Sequence, residues 1–188
     1  HNETGMAEFE ITSDGLTSAK CSIEIQPFTA NNLVPASEVS GDISPISPSV
    51  FVVNDSVSGN GINQFDFQGT GWTYGSEVTA YNGDNHWSST AGDICNIKFN
   101  GSRIKYYGAK ASSHGIAAFS IDGGQEILID CYEAGRNGST LLFDSGYLTP
   151  GEHTLTVRVT GQKNTAATDY FVNADKVEIM NNYPMPQA

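Results

Sequence analysis

The sequence predicts an all-β chain folded as an antiparallel β-sandwich or jelly roll, and three observations carry that expectation. Short runs with apolar residues at every second position recur along the chain, the mark of half-buried strands. Turn signals separate them at fairly even spacing, among them Asp14-Gly15, Asn100-Gly101, Asp122-Gly123-Gly124 and Thr149-Pro150-Gly151, and many short strands so spaced argue for a sandwich or jelly roll. No stretch keeps a helical period beyond about three turns.

Residues 6–11 and 21–25 alternate on either side of Asp14-Gly15 and predict a hairpin. A lone two-stranded hairpin is marginally stable, so residues 1–26 are expected to close a domain that begins upstream. Residues 27–49 then carry Pro27, Pro35, Pro45 and Pro48 among Ser, Asn and Gly. Proline removes donors and favours extended backbone, which predicts a linker. A second domain is expected over 50–182 and a short tail over 183–188.

Within that domain the strands are expected at 51–53, 65–67, 95–99, 104–107, 116–121, 127–131, 141–143, 153–159 and 171–179. Leu155, Val157 and Val159, then Phe171, Ala174, Val177 and Ile179, are the apolar positions of the last two. The loop between them holds Gly161, Gln162, Lys163 and Asn164, which cannot be buried without partners and so belong at one end of a sheet. Residues 69–92 lack a steady period but carry Trp72, Tyr74, Tyr81, His86 and Trp87. One of Tyr106 and Tyr107 must face the core, and His153 reads as structural.

Composition excludes several classes. Nine Lys and Arg stand against 21 Asp and Glu, a net charge of −12, so attraction to phosphate backbones or anionic lipid is not expected. No apolar run approaches the roughly 18 residues of a membrane span, and no basic-then-apolar leader opens the sequence. Cys21, Cys95 and Cys131 have no metal-ligand spacing and are odd in number; Cys95 and Cys131 read as small buried thiols.

Antiparallel strands alternate in direction, so counting along the chain assigns each loop to an end. The tight turns fall at one end, and 69–92, 108–115, 132–140 and 161–170 fall at the other. Those longer connections hold Trp72, Tyr81, His86 and Trp87, then Lys110 and His114, then Tyr132, Arg136 and Asn137, then Lys163 and Asn164. Aromatic rings beside Asn, His, Lys and Arg suit a sugar, whose C–H face packs on a ring while its hydroxyls take directional hydrogen bonds. Any single aromatic there reads more readily as a loop anchor than as a ligand platform. Lys110, Arg136 and Lys163 on one rim also leave a carboxylated or sulfated ligand open.

The blocks WTYG, YNGDNHWSSTAGD, GSRIKYYGAKASSHGIAAFSIDGG, LTPGEHTLTVRVTGQKN and YFVNADKVEI resemble, over residues 65–180, the galactose-binding-domain-like β-sandwich modules appended to many secreted bacterial glycoside hydrolases. The resemblance implies carbohydrate binding by loops at one end of the sandwich. Its matching positions are Trp87 with His86, Lys110 with His114, and Lys163 with Asn164. The third loop, CYEAGRNGS, departs from the pattern and leaves the sugar open. AEFEITSDGLTSAKCSIEI is similar to the last hairpin of the immunoglobulin-like domain of family 2 glycoside hydrolases such as β-galactosidases. Together these imply a C-terminal fragment of a secreted or cell-surface bacterial hydrolase, not an enzyme by itself. Its partners are then terminal galactose, lactose or N-acetyllactosamine and the parent catalytic domain, with no nucleic acid and no membrane.

Two other readings stay open. Hydrolysis would draw on Glu77, Asp84, Asp93, Glu133 or Asp169, none of which the sequence singles out. An accessory domain would only pack on the catalytic one. No cofactor is expected: modules of this type often carry a structural calcium ion, and Asn54, Asp55 and Asp175 are available, but their spacing does not support a site.

Overall fold

The computed structural model describes residues 5–11, 19–25 and 49–181; the Asp14-Gly15 turn, the expected linker up to residue 48 and the tail lie outside them. The chain divides into two compact units, 1–45 and 46–188. In the first, β1 (Gly5–Ile11) and β2 (Ala19–Ile25) pair antiparallel, from Gly5 opposite Ile25 to Ile11 opposite Ala19.

The second unit is an antiparallel β-sandwich. Its strands are β3 (Val50–Asn54), β4 (Gln64–Gln68), β5 (Thr73–Ser76), β6 (Asp84–Ser88), β7 (Ile94–Gly101), β8 (Arg103–Lys110), β9 (Ile116–Ile121), β10 (Ile127–Asp130), β11 (Asn137–Asp144), β12 (Gly151–Val159), β13 (Val172–Ala174) and β14 (Lys176–Met180). One sheet runs β10-β9-β12-β7-β4 and the facing one β11-β8-β14-β3, while β13-β6-β5 forms a third, short sheet. The first and last strands lie side by side, with Val50 opposite Met180 and Asn54 opposite Lys176.

Period-two patterning drives this arrangement. Leu155, Val157 and Val159 of β12 and Cys95, Ile97 and Phe99 of β7 are fully buried, as are Ile104 and Tyr106 of β8 across the core. Phe119 of β9 stacks on Phe143 of β11 at 5.0 Å and meets Tyr106 edge-on at 5.3 Å, so aromatic rings join the two sheets. Of the adjacent tyrosines, Tyr106 is the core residue and donates its hydroxyl proton to the Asn173 carbonyl, while half-buried Tyr107 donates to Glu178. Burial pushes the thiol of Cys95 up and that of Cys131 up to about 11, which keeps both protonated. His153 is indeed a corner brace: Nδ1 lies 2.6 Å from Asp122 and Nε2 2.7 Å from the Thr149 carbonyl.

Three sequence expectations are corrected. Asn100 and Gly101 do not form a hairpin turn; β7 runs through Gly101 and the chain crosses at Ser102 to the other sheet. A Cβ on Gly101 would come within 2.8 Å of the Met180 carbonyl oxygen, so the glycine serves close packing between sheets. The unpatterned 69–92 stretch contains the β5–β6 hairpin. The expected single strand over 171–179 is broken at Asp175, whose N–H donates to the Tyr107 carbonyl. Val172 and Ala174 therefore face the core while Phe171 is only half-buried.

Candidate functional site

The long connections at one end of the sandwich are bound to one another. Ile116 donates its N–H to the Gln162 carbonyl, Thr168 to Ser112, and Tyr81 to the Asp175 carboxylate. His114 bridges to Phe171 and Ala111 to Tyr132. A pocket of about 230 Å³ opens where they meet, drawing Ser76, Glu77, Asn85 and Trp87 from the first connection, Ser113 and His114 from the second, Arg136 from the third, and Phe171 and Asn173 from the last strand region.

Each side chain has a local reason for its place. In β6 the alternation sends Asn85 and Trp87 to the same face, and β13 brings Asn173 opposite Trp87. The indole passes over Gly75, where a Cβ would lie 2.7 Å from its ring. Arg136 is held by Glu77 at 2.5 Å, and Glu77 also accepts from the Thr79 N–H and hydroxyl. Burial alone would raise the Glu77 carboxyl, but the Thr79 bonds and the Arg136 charge outweigh it and hold the group below its ordinary value. His114 is 4% exposed and its Nδ1 has no partner. Burial, with the nearby Arg136 charge, brings it down to about 4, so the imidazole is neutral at pH 7. Asn173 is a clamp: Oδ1 accepts the Ala109 N–H at 2.6 Å.

Of the residues expected at the site, Trp87, His114 and Arg136 line this pocket. His86 points to the opposite face of the β5–β6 ribbon, where its ring stacks on Phe67 at 4.0 Å and Nδ1 lies 2.6 Å from Asp55. Trp72 packs on the core and donates its indole N–H to the Gln68 and Ile94 carbonyls. Tyr81 is exposed, with the Lys176 ammonium 5.1 Å from its ring centre. Lys110 and Asn137 sit opposite each other at the start of the β8–β11 ladder, and the Tyr132 N–H donates to Asp130. Lys163 caps the Thr168 carbonyl over the Tyr170 ring, and Asn164 donates to Asp130. Lys163 thus braces its own loop, and Asn164 ties that loop to the end of β10. Missed by sequence reasoning were Ser76, Asn85, Ser113 and Asn173 as pocket residues, Phe171 as a wall and Glu77 as the partner of Arg136. Only Phe171 and Asn173, two apart in the chain at the start of β13, left a readable signal.

A second polar group lies outside the lining of this pocket. Asn54, Asp55 and Asp175 are buried, and Asn54 Oδ1, Asp55 Oδ1 and Asp175 Oδ2 have no hydrogen-bond partner. Burial raises both Asp55 and Asp175 above their ordinary values, against the pull of His86 on the first and of a Ser139 hydrogen bond on the second. Among the described residues no three His, Cys, Asp or Glu side chains group as metal ligands; the set here is one amide and two carboxylate oxygens, hard donors of the kind calcium takes.

No protein-family model and no curated protein matches the chain. Among solved structures, a Paenibacillus xanthan lyase aligns over 88% of this chain and 15% of its own, at 15% identity and a TM-score of 0.51. A two-domain esterase active on acetylated mannans aligns over 72% and 38% at 13% identity and 0.49. An exo-β-1,3-galactanase from Phanerochaete chrysosporium, solved with galactose, aligns over 71% and 29% at 19% identity and 0.45. The chain thus spans well under half of each of these carbohydrate-active enzymes, and what the xanthan lyase shares with it is the β-sandwich fold.

Proposed function

We propose that residues 50–182 are a non-catalytic carbohydrate-binding module that tethers a secreted bacterial glycoside hydrolase, of the family 2 β-galactosidase type, to glycan through terminal galactose-type sugars. The observation that carries this reading is the pocket itself: Trp87 and Phe171 offer ring faces beside Arg136, Glu77, Asn85 and a neutral His114. Ring faces take a sugar's C–H surface, and the mixed donors and acceptors around them suit its hydroxyls. Since Glu77 balances Arg136, and neither Lys110 nor Lys163 lines the pocket, the site favours an uncharged sugar over a carboxylated or sulfated one.

The non-catalytic reading is supported by the carboxylates. Sugar hydrolysis by a carboxylate pair needs two of them about 5 to 10 Å apart across the bond, and Glu77 is the single acidic residue lining this pocket. Asp93 accepts from the N–H groups of Thr70 and Gly71, and Asp84 from Asn54 and Tyr74. In this reading residues 1–26 end an upstream immunoglobulin-like domain, 27–49 link it to the module and 183–188 form a tail; tethering raises the local substrate concentration. A structural calcium ion would sit on Asn54, Asp55 and Asp175, neutralising two buried carboxyls. Millimolar calcium is then expected to raise the melting temperature by about 4 °C or more, with reversal by chelator; an unchanged melting curve removes the ion from this account.

Calorimetric titration with galactose, lactose, N-acetyllactosamine and galacturonate, repeated on Arg136→Ala, tests the function. Saturable heat with a neutral sugar, lost in the variant, is the expected result. No heat with any of them sinks the proposal. It would favour the accessory-domain reading, for which the exposed apolar Val50, Phe51 and Val52 of edge strand β3 provide a packing surface.

A further inference from the structure

The β5–β6 ribbon has a second face with a cleft of its own. Tyr74 and His86 are cross-strand partners, so the alternation that sends Trp87 to the first pocket sends these two the other way. There the ribbon meets β4, the edge strand of the five-stranded sheet, across an open cleft of about 470 Å³ lined by Ser58, Asp66, Phe67, Trp72, Tyr74 and His86 among others.

Four rings make a connected aromatic surface. Phe67 stacks on His86 at 4.0 Å and lies 4.9 Å from Trp72, and Tyr74 lies 4.8 Å from His86. Every ring with a polar edge is fixed: the Trp72 N–H donates to main-chain carbonyls, His86 is pinned by Asp55, and the Tyr74 hydroxyl donates to Asp84 at 2.6 Å. Tyr74 is nevertheless 53% exposed. A rigid, water-facing aromatic wall binds a flat apolar surface without first losing side-chain entropy. Its rim is acidic but not cationic: Asp66 is the single fixed charge in the lining, and one of its oxygens accepts from Gln68. The Ser58 hydroxyl and the His86 ring edge add groups of both hydrogen-bonding senses.

We infer that this cleft is a second glycan site, distinct from the Trp87 pocket, which takes an uncharged sugar ring against Tyr74 and His86 with hydroxyls donating to Asp66. The acidic rim disfavours uronates and sulfated sugars. An organic cation would also meet rings and a carboxylate, but it has no use for the hydroxyl and imidazole of Ser58 and His86, so the sugar is the better match.

The chain contains two tryptophans, one in each site, so their indole N–H signals report on the two separately. The experiment titrates ¹⁵N-labelled protein with lactose, cellobiose, mannobiose and tetramethylammonium chloride, the signals being assigned with Trp72→Phe and Trp87→Phe. The expected result is a saturable shift of Trp72 and of residues around Tyr74 with at least one disaccharide. It persists in Trp87→Phe and weakens about tenfold in Tyr74→Ala or Asp66→Asn, while the Trp87 curve in those two variants stays where it was. A Trp72 region that no disaccharide moves, or whose response vanishes in Trp87→Phe, overturns the second site. A response to tetramethylammonium alone overturns the sugar assignment.

Discussion

Phe119→Ala is expected to lower the unfolding free energy of the sandwich by about 3–5 kcal/mol, the cost of removing a large aromatic ring from a packed core. The ring is completely buried and touches residues of the opposite sheet, stacking on Phe143 and meeting Tyr106 edge-on. Its neighbours along β9, Ala117 and Ala118, are buried and small. Their methyl groups are too short to fill the void, so the cavity persists and the loss belongs in the upper part of that range. Urea denaturation measures it, with Leu128→Ala as a comparison. Leu128 is 55% exposed, so its truncation is expected within about 0.5 kcal/mol of the parent. A loss at Phe119 no larger than at Leu128 would mean that the two sheets are not held together through this ring.

Trp87→Ala is expected to cost at least about 2 kcal/mol of sugar affinity, roughly 30-fold, as truncation of a central tryptophan does at a binding hot spot. Folding should survive, because Trp87 lies outside the buried core and β6 keeps its main-chain ladders to β5 and β13. The seat over Gly75 explains the size of the effect. With no side chain there, the ring rests directly on the backbone and meets a ligand in one orientation. Calorimetry on the variant, with circular dichroism to verify the fold, decides the matter; undiminished affinity would remove Trp87 from the site.

The strands that were legible are those with one face in the core and one in water. β7 and β12 alternate cleanly because the opposite sheet demands it. The β5–β6 hairpin was illegible because neither of its faces is a conventional core: Trp87 looks into one cavity and His86 into another. Adjacent in sequence, they read as one site, yet the pleat divides them. The final strand was misread for a related reason. Phe171 and Ala174 fit no single period, and the break at Asp175 lets β13 join the short sheet while β14 stays in the sandwich. Arg136 was findable as a charge on a long loop, but its partner Glu77 is 59 positions away and no local pattern connects them. Lys163 and Asn164 illustrate the converse, since polar side chains on a loop can also brace it and tie it to a neighbouring strand.

The pairing of β3 with β14 places the start and finish of the module next to each other, beside the Ser102 crossing, at the end away from the Trp87 pocket. A load applied between a glycan held in that pocket and the chain entering at Val50 therefore runs along the strands. Force in that direction must slide β3 past β14 and strain the five register pairs from Val50–Met180 to Asn54–Lys176 together. Peeling would open them one at a time. The geometry is that of a lap joint, and under the proposed tethering role it is the arrangement that bears such a load.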